Sequence, residues 1–247
     1  MVKGPLSPRQ IGRLARACLD NARRLIDDAE LLLNHRCYAS AGSCALFALE
    51  EFGKHMWCMT ASSFDPDDSE AWRNFWRVWR THPRKLAFGA GQLIDVEVNQ
   101  LDVSDEKADE IWRVAYADLK ARITEITSWR TGTMYVDWRA DEVDSPSERF
   151  DEKFVSGLVA DVRLVVDSGI AMWGDRDLEE LAELTAPFVR RLREGMIAAK
   201  EADNEERYVA IFEDLVRQTH PTGPELEDAL DKYRQRRERW PKTPPER

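Results

Sequence analysis

The fold of this chain is decided by a stretch of small and apolar residues at positions 38–55, YASAGSCALFALEEFGKH. Alanine, glycine and serine recur through it, and the larger residues Tyr38, Leu49 and Phe52 fall on its core side when it is drawn as a helix. A helix with so few bulky side chains can approach its neighbours closely. We therefore expect it to be the central element of a helical bundle, with charged residues only at its end, from Glu50 onward.

Helical spacing of apolar residues continues on both sides of this segment. Ser7 and Pro8 have the pattern of an N-cap followed by a first helical turn, and apolar residues then recur every three or four positions up to Asn34. Downstream, Pro83 predicts that a Trp-rich helix ends near His82. The pattern as a whole predicts helices over residues 8–34, 38–60, 69–81, 104–129, 145–173, 177–202, 205–219 and 225–240, and between 81 and 104 a further helix that ends near residue 99. The helix at 145 opens with the capping-box sequence Ser145-Pro146-Ser147-Glu148.

These helices, with one short extended run at residues 133–138, predict an all-α fold. We expect a helical bundle with a C-terminal helical extension, because the sequence does not alternate strands and helices as a nucleotide-binding sheet does. The bundle domain is predicted at residues 8–173, the helical extension at 174–240 and a flexible tail at 241–247.

Composition limits the possible functions. The 247 residues are 43% hydrophobic and 33% charged, which is typical of a globular protein. No apolar run approaches the roughly 20 residues that a membrane span needs, so we expect a cytoplasmic protein without a membrane partner. The net charge of −10 argues against a general nucleic-acid coat. Any contact with nucleic acid must therefore be local.

The sequence also lacks the spacing of common metal sites. Its four cysteines show no C-x-x-C pair. Di-iron bundles carry Glu-x-x-His twice, whereas Glu51 and His55 are one residue too far apart and occur once. We predict neither a metal nor a cofactor.

Two carboxylates and two bases lie at the end of the central helix. Glu50 and Lys54 are four residues apart, as are Glu51 and His55, so each pair shares a helix face. The simplest interpretation is two ion pairs that face solvent. Because the helix is apolar up to Leu49, however, these charges lie at the exposed end of a buried helix, which favours a role in a functional site.

A second charged segment follows at residues 71–94, which contain no acid. The cations there cluster around His82: Arg73, Arg77, Arg80, Arg84 and Lys85. In an acidic chain such a local positive field is suited to binding a phosphate, or to pairing with Glu50 and Glu51 in a structural network. His82 is a candidate general acid or base near neutral pH.

The tryptophans have two possible roles. Trp72, Trp76 and Trp79 fall at helical spacing, which favours the core or a dimer interface over platforms for stacking bases. Trp57 follows His55 closely and is a candidate to close the site.

Three segments together resemble the AbiV family of bacterial abortive-infection proteins. They lie at residues 38–54, which begin YASA and end ALEEFGK, at 75–85, FWRVWRTHPRK, and at 134–137, MYVD. The resemblance covers about residues 18–170. It implies a HEPN-type helical bundle, a cytoplasmic role in antiphage defence and a homodimer.

The resemblance also implies an activity and a set of site residues. HEPN proteins are typically metal-independent ribonucleases with an arginine and a histidine separated by four to six residues, a spacing that Arg77 and His82 satisfy. In the implied mechanism His82 assists attack by the RNA 2′-hydroxyl, Arg77 stabilises the developing charge, and Glu51 or Glu50 orients the cations. The position after Arg77, usually polar in HEPN nucleases, is Val78 here. The implied catalytic residues are thus Arg77, His82 and Glu51, and the implied substrate-binding residues are Arg80, Arg84, Lys85, Lys54, Glu50, Tyr135 and Asp137.

Two functions from different classes stay open at this point. The leading hypothesis is an abortive-infection effector that acts on RNA or translation as a ribonuclease, with His82 and Arg77 exposed and meeting their counterparts in a second copy. The alternative is a non-enzymatic helical module that binds a phage-encoded trigger or a ribosomal component. In that case His82, Arg77 and Glu51 should be buried in a fully paired network.

Overall fold

The computed structural model describes residues 4–99, 105–139 and 142–201. Helices dominate these ranges: α1 (Pro8–Asn34), α2 (Tyr38–Ala61), α3 (Ser69–Trp79), α4 (His82–Asn99), α5 (Asp105–Gly132), α6 (Pro146–Arg149), α7 (Glu152–Trp173) and α8 (Leu178–Glu201). A single antiparallel hairpin, β1 (Asp137–Arg139) and β2 (Glu142–Asp144), joins α5 to α6 within the described residues. The predicted all-α class is confirmed. No described helix combines the length and the apolar character that crossing a membrane requires.

The first helix begins as its sequence predicts. Ser7 Oγ accepts a hydrogen bond from the Gln10 backbone N–H, and Gln10 Oε1 accepts one from the Ser7 N–H. This reciprocal capping satisfies two N–H groups that a helix start leaves unpaired. The buried stripe of α1 then runs from Ile11 to Ala29 and packs on α2, α7 and α8.

The second helix is the centre of the bundle, as expected from its small residues. It contacts α1, α4 and α7, and Ala41, Ala45 and Ala48 are completely buried along it. Because these side chains are short, the backbones of the surrounding helices come close to the axis of α2.

Two glycines allow α2 and α4 to touch through their backbones. A Cβ atom on Gly53 would lie 2.0 Å from the Lys85 carbonyl oxygen, and one on Gly89 would lie 2.5 Å from the Leu49 carbonyl oxygen. No side chain tolerates either distance, so both positions require glycine for this approach. The first turn of α4, which carries His82 and Lys85, is thereby held against the charged end of α2.

An aromatic cluster fills the space between the ends of α2, α3 and α4. Trp72 and Trp76 are buried in it, which confirms the core role that their spacing predicts. Trp57 is buried in it as well, stacks on Phe75 with ring centroids 6.1 Å apart and donates its Nε1–H to the Phe75 carbonyl. Trp57 therefore belongs to this core and does not close the site.

The predicted single helix over residues 145–173 is wrong in one place. The chain leaves the helical conformation at Phe150, which has φ −113° and ψ 103°, so that α6 ends at Arg149. Asp151 then caps α7, its Oδ1 accepting the Phe154 N–H at 2.8 Å. Ser145 makes no capping bond, because its hydroxyl pairs with Ser147 instead. The break places the Phe150 ring in the core, where its burial favours the interruption.

The described part of the C-terminal extension is packed on the bundle. A Cβ atom on Gly12 of α1 would lie 2.1 Å from the Leu178 carbonyl oxygen at the start of α8, and Arg9 pairs with Glu183 at 2.9 Å. The helices predicted at 205–219 and 225–240 and the tail at 241–247 lie outside the described residues. The division into domain and extension stays a prediction.

We expect Gly53→Ala to lower the free energy of unfolding by about 1–3 kcal/mol, because the new methyl group meets the α4 backbone and forces the two helices apart. The matched control is Gly157→Ala in α7, where a Cβ would meet nothing within 4 Å. That change should stabilise the protein by up to about 1 kcal/mol through helix propensity. Urea denaturation of both variants checks the account, and a neutral or stabilising Gly53→Ala would contradict it.

Candidate functional site

A buried carboxylate organises the charged end of α2. The side chain of Glu50 is only 6% exposed and is contacted by three basic side chains from two other helices. Lys85 Nζ of α4 lies 3.1 Å from Oε2, and Arg130 Nε of α5 lies 2.7 Å from Oε1. His82 Nδ1, at the start of α4, lies 2.9 Å from both oxygens. Glu50 thus ties α2, α4 and α5 together at one point.

The contact with Glu50 fixes which nitrogen of His82 carries a proton. An ionised carboxylate only accepts hydrogen bonds, so Nδ1 must donate. In the neutral ring this leaves the lone pair on Nε2, the nitrogen that does not face Glu50. The His82 side chain is 43% exposed, whereas its partner is almost completely buried. The arrangement is that of an oriented base at the edge of a buried ion cluster.

Arg130 is held by Glu50 and by an aromatic ring. Its guanidinium carbon lies over the Phe47 ring, 5.0 Å from the centroid. Its Nε contact with Glu50 is a close ion pair without the alignment of a hydrogen bond. The side chain is 21% exposed, so Arg130 is partly accessible to solvent while its Nε is held at Glu50.

Glu51 belongs to a different pair. It faces Lys54 on its own helix, with Lys54 Nζ 2.5 Å from Oε1, and Lys54 also lies over the Trp79 ring at 5.3 Å. The structure therefore brings Glu50, and not Glu51, to His82. Glu51 was predicted as a catalytic residue and Glu50 as a substrate-binding residue, and both roles stay predictions.

The predicted arginines Arg77, Arg80 and Arg84 flank His82 in the sequence, and we call these three exposed side chains the rim. Arg77 and Arg84 are exposed. Arg77 donates to Asn74 Oδ1 at 2.7 Å on the outer face of α3, and Arg80 donates from Nε to the Trp76 carbonyl. None of the hydrogen bonds and ion pairs described for Arg77 joins it to His82. Lys85, in contrast, is buried on Glu50, so its ammonium group serves the cluster and not the surface.

The position after Arg77 has a structural explanation. Val78 is 2% exposed and packs in the aromatic cluster on the inner face of α3. A polar side chain at position 78 would lose its hydrogen bonds with water and would have no described hydrogen-bond partner in their place. In this chain the position therefore contributes to the core.

The third predicted segment of the site leads into the hairpin. Tyr135 is exposed, and no described hydrogen bond joins it to Glu50 or His82. Asp137 opens β1 and is paired in register with Asp144. The roles predicted for Tyr135 and Asp137 in the site stay predictions.

His55 lies outside the site. It is completely buried between Phe52 and Trp173, and its Nδ1 faces the Ala15 carbonyl at 3.0 Å. Burial lowers the pKa of His55, since an imidazolium is poorly solvated there. Its Nε2 has no described partner. Among the described residues no cluster of His, Cys, Asp or Glu could hold a metal ion.

Sequence reasoning missed Arg130. It follows Trp129 near the end of a long helix on which the other charged side chains that the structure describes are exposed. It has no acidic neighbour at helical spacing that would indicate a buried pair. Its partner lies far away in the chain, so only the packing of α5 beside α2 and α4 brings the two together.

We expect Glu50→Gln to lower the free energy of unfolding by about 3–5 kcal/mol, because it leaves the buried Lys85 ammonium without a counter-charge. Glu51→Gln is the matched control, since its pair with Lys54 lies within one helix turn and should be worth about 1 kcal/mol or less. Adding Lys85→Met to Glu50→Gln should recover most of the loss. Urea denaturation measures all three, and equal losses for Glu50→Gln and Glu51→Gln would argue against a central role for Glu50.

The buried His55 should make stability depend on pH. Because its pKa is lowered in the folded state, the unfolded chain binds a proton more readily. The contribution of His55 is therefore fully present above about pH 6.5, the unfolded value, and is lost as pH falls towards the lower folded pKa. His55→Asn should reduce the difference in unfolding free energy between pH 8 and pH 5, whereas His35→Asn controls for the loss of an exposed histidine. An unchanged difference in His55→Asn would contradict this reading.

A known family accounts for most of this chain. The model of the AbiV family of HEPN proteins matches residues 10–166, a range that contains Glu50, His82, Lys85 and Arg130. No curated protein and no solved structure matches the chain. The match spans more than half of the sequence and agrees with the helical fold. The chain belongs to the AbiV family of HEPN-type proteins.

Proposed function

We propose that this protein is an abortive-infection effector that cleaves RNA in the cytoplasm without a metal ion. The observation that supports the proposal best is the orientation of His82. Its Nδ1 is held 2.9 Å from the buried Glu50 carboxylate, while the ring is 43% exposed. A carboxylate that fixes the tautomer of a half-exposed histidine leaves a base at the surface, as general base catalysis requires.

In the proposed reaction the RNA supplies its own nucleophile. Nε2 of His82 accepts the proton of a 2′-hydroxyl, and the 2′-oxygen forms a bond to the adjacent phosphorus. The bond from phosphorus to the 5′-oxygen breaks, and that oxygen takes a proton from water. The products are a 2′,3′-cyclic phosphate and a free 5′-hydroxyl. Glu50 stabilises the imidazolium that forms, so its charge contributes when the proton is transferred.

Exposed cations around His82 support RNA as the substrate. Arg77, Arg80 and Arg84 give the rim a local positive charge in a chain whose net charge is −10. Such a field attracts the phosphates of a single strand without covering the whole protein in charge. A second copy of the chain would double this rim, and a homodimer is part of the proposal. A phage-encoded trigger or a ribosomal component would act upstream of cleavage.

Exposure of the rim favours an enzyme over the interaction module. The module requires His82, Arg77 and Glu51 to be buried and paired. Glu51 is paired, but Arg77 is exposed and His82 is half-exposed. The exposure of Arg77 and His82 leaves room for a ligand at the site.

We expect induced expression of the wild type to fragment cellular RNA and to leave 2′,3′-cyclic phosphate ends. His82→Ala should abolish the fragments while remaining folded, because Lys85 and Arg130 still neutralise Glu50. His35→Ala, at an exposed position between α1 and α2, is the matched control and should cleave like the wild type. The readout is sequencing of cyclic phosphate ends at equal protein abundance. Phage protection or toxicity that survives in His82→Ala without cleaved RNA would instead support the interaction module.

A further inference from the structure

We propose that Arg130 binds the phosphodiester of single-stranded RNA at this site, in the place that the sequence assigns to Arg77. The inference rests on the proposed function, because it identifies the group that holds the substrate beside His82. Arg130 and His82 contact the same carboxylate oxygen, Oε1 of Glu50, at 2.7 Å and 2.9 Å. Their two contacting nitrogens can therefore be no more than about 6 Å apart, so the two side chains are neighbours at the carboxylate.

The orientation of Arg130 leaves its binding edge unused. A guanidinium has five N–H donors in one plane. Nε faces Glu50 and the guanidinium carbon lies 5.0 Å from the centroid of the Phe47 ring. Among the described residues the two terminal nitrogens of Arg130 have no hydrogen-bond partner. Paired N–H groups of this kind match two oxygens of a phosphate. Because the ring and the carboxylate hold the side chain in place, little rotational freedom is lost on binding.

The charges of the cluster also favour an anion. Two cationic side chains, Lys85 and Arg130, face the single carboxylate of Glu50. The cluster is therefore positive by one charge even when His82 is neutral. Lys85 is buried, so this excess charge can reach a ligand through Arg130, which is 21% exposed. A phosphodiester bound there would carry the one negative charge that the cluster lacks.

Arg77 lies differently. Its Nη2 donates to Asn74 on the exposed face of α3, and no described contact links it to Glu50, Lys85 or Arg130. An arginine on that face can attract RNA over a distance, but no described contact fixes it beside His82. We therefore assign the close phosphate contact to Arg130 and a weaker, general attraction to Arg77.

Binding of an oligonucleotide that cannot be cleaved separates these roles. The probe is a fluorescein-labelled 2′-O-methyl oligouridylate of about ten nucleotides, and anisotropy is measured over a range of salt concentrations. We expect Arg130→Gln to weaken binding at least tenfold and to reduce the slope of log affinity against log salt by about 0.7, the value for one lost phosphate contact on a single strand. Arg77→Gln should weaken binding less than threefold. Arg122→Gln, which removes an exposed charge on the same helix, is the matched control.

Each outcome of this experiment bears on the inference. Wild-type affinity and salt slope in a folded Arg130→Gln, or no binding by the wild type, would overturn it. If Arg130→Gln does not fold, the same binding measurement is made with Arg130→Lys. Its single ammonium group would be taken up by Glu50, so affinity should still fall at least fivefold, and wild-type affinity would overturn the inference. Because the probe lacks the nucleophile, it reports binding alone. Arg130-dependent binding of the probe, together with no cleavage of cellular RNA in the expression experiment, would disprove the ribonuclease and leave the phosphate site standing.

Discussion

The charged end of this bundle depends on one almost completely buried carboxylate, that of Glu50. Removing Glu50 from water is unfavourable, and the cost is offset only because Lys85, Arg130 and His82 all reach it. Such clusters rarely stabilise a fold more than apolar packing would. This cluster instead fixes the positions of its side chains: it joins three helices and holds one of its members, His82, at the solvent-exposed surface. The unfavourable burial of Glu50 thus has one structural consequence, the fixed orientation of the half-exposed His82 ring.

Backbone contact between two helices makes that orientation possible. With a side chain at Gly53 or Gly89, α4 could not lie against α2, and neither Lys85 nor His82 would be within reach of Glu50. Pro83 contributes as the second residue of α4, directly after His82, where its missing N–H costs no helical hydrogen bond. The aromatic cluster packs the inner face of α3 and Phe88 of α4 against the end of α2. The close packing at Gly53 and Gly89 is therefore what places His82 beside Glu50.

Local signals predicted most of the fold but only part of the site. Capping at Ser7, the apolar spacing of α1 and α2 and the turn before Pro83 are encoded by neighbouring residues. The interruption at Phe150 was missed because burial of its ring overrides a favourable capping sequence. Glu50 and Glu51 differ by a rotation of about 100° around α2, and only the contact with α4 decides which one points inward. Arg130 was missed for the same reason, since its partner is supplied by tertiary packing.

The central claim is that Glu50 sets the tautomer of His82, and it is tested most directly by the imidazole ¹⁵N chemical shifts of the wild-type protein. With histidine labelled at both ring nitrogens, and the signal assigned by comparison with His82→Ala, the neutral ring should carry its proton on Nδ1 and its lone pair on Nε2. This result would place an oriented base at the surface of the bundle. A neutral ring protonated on Nε2 would mean that Glu50 does not hold His82, and the account of the site would fail.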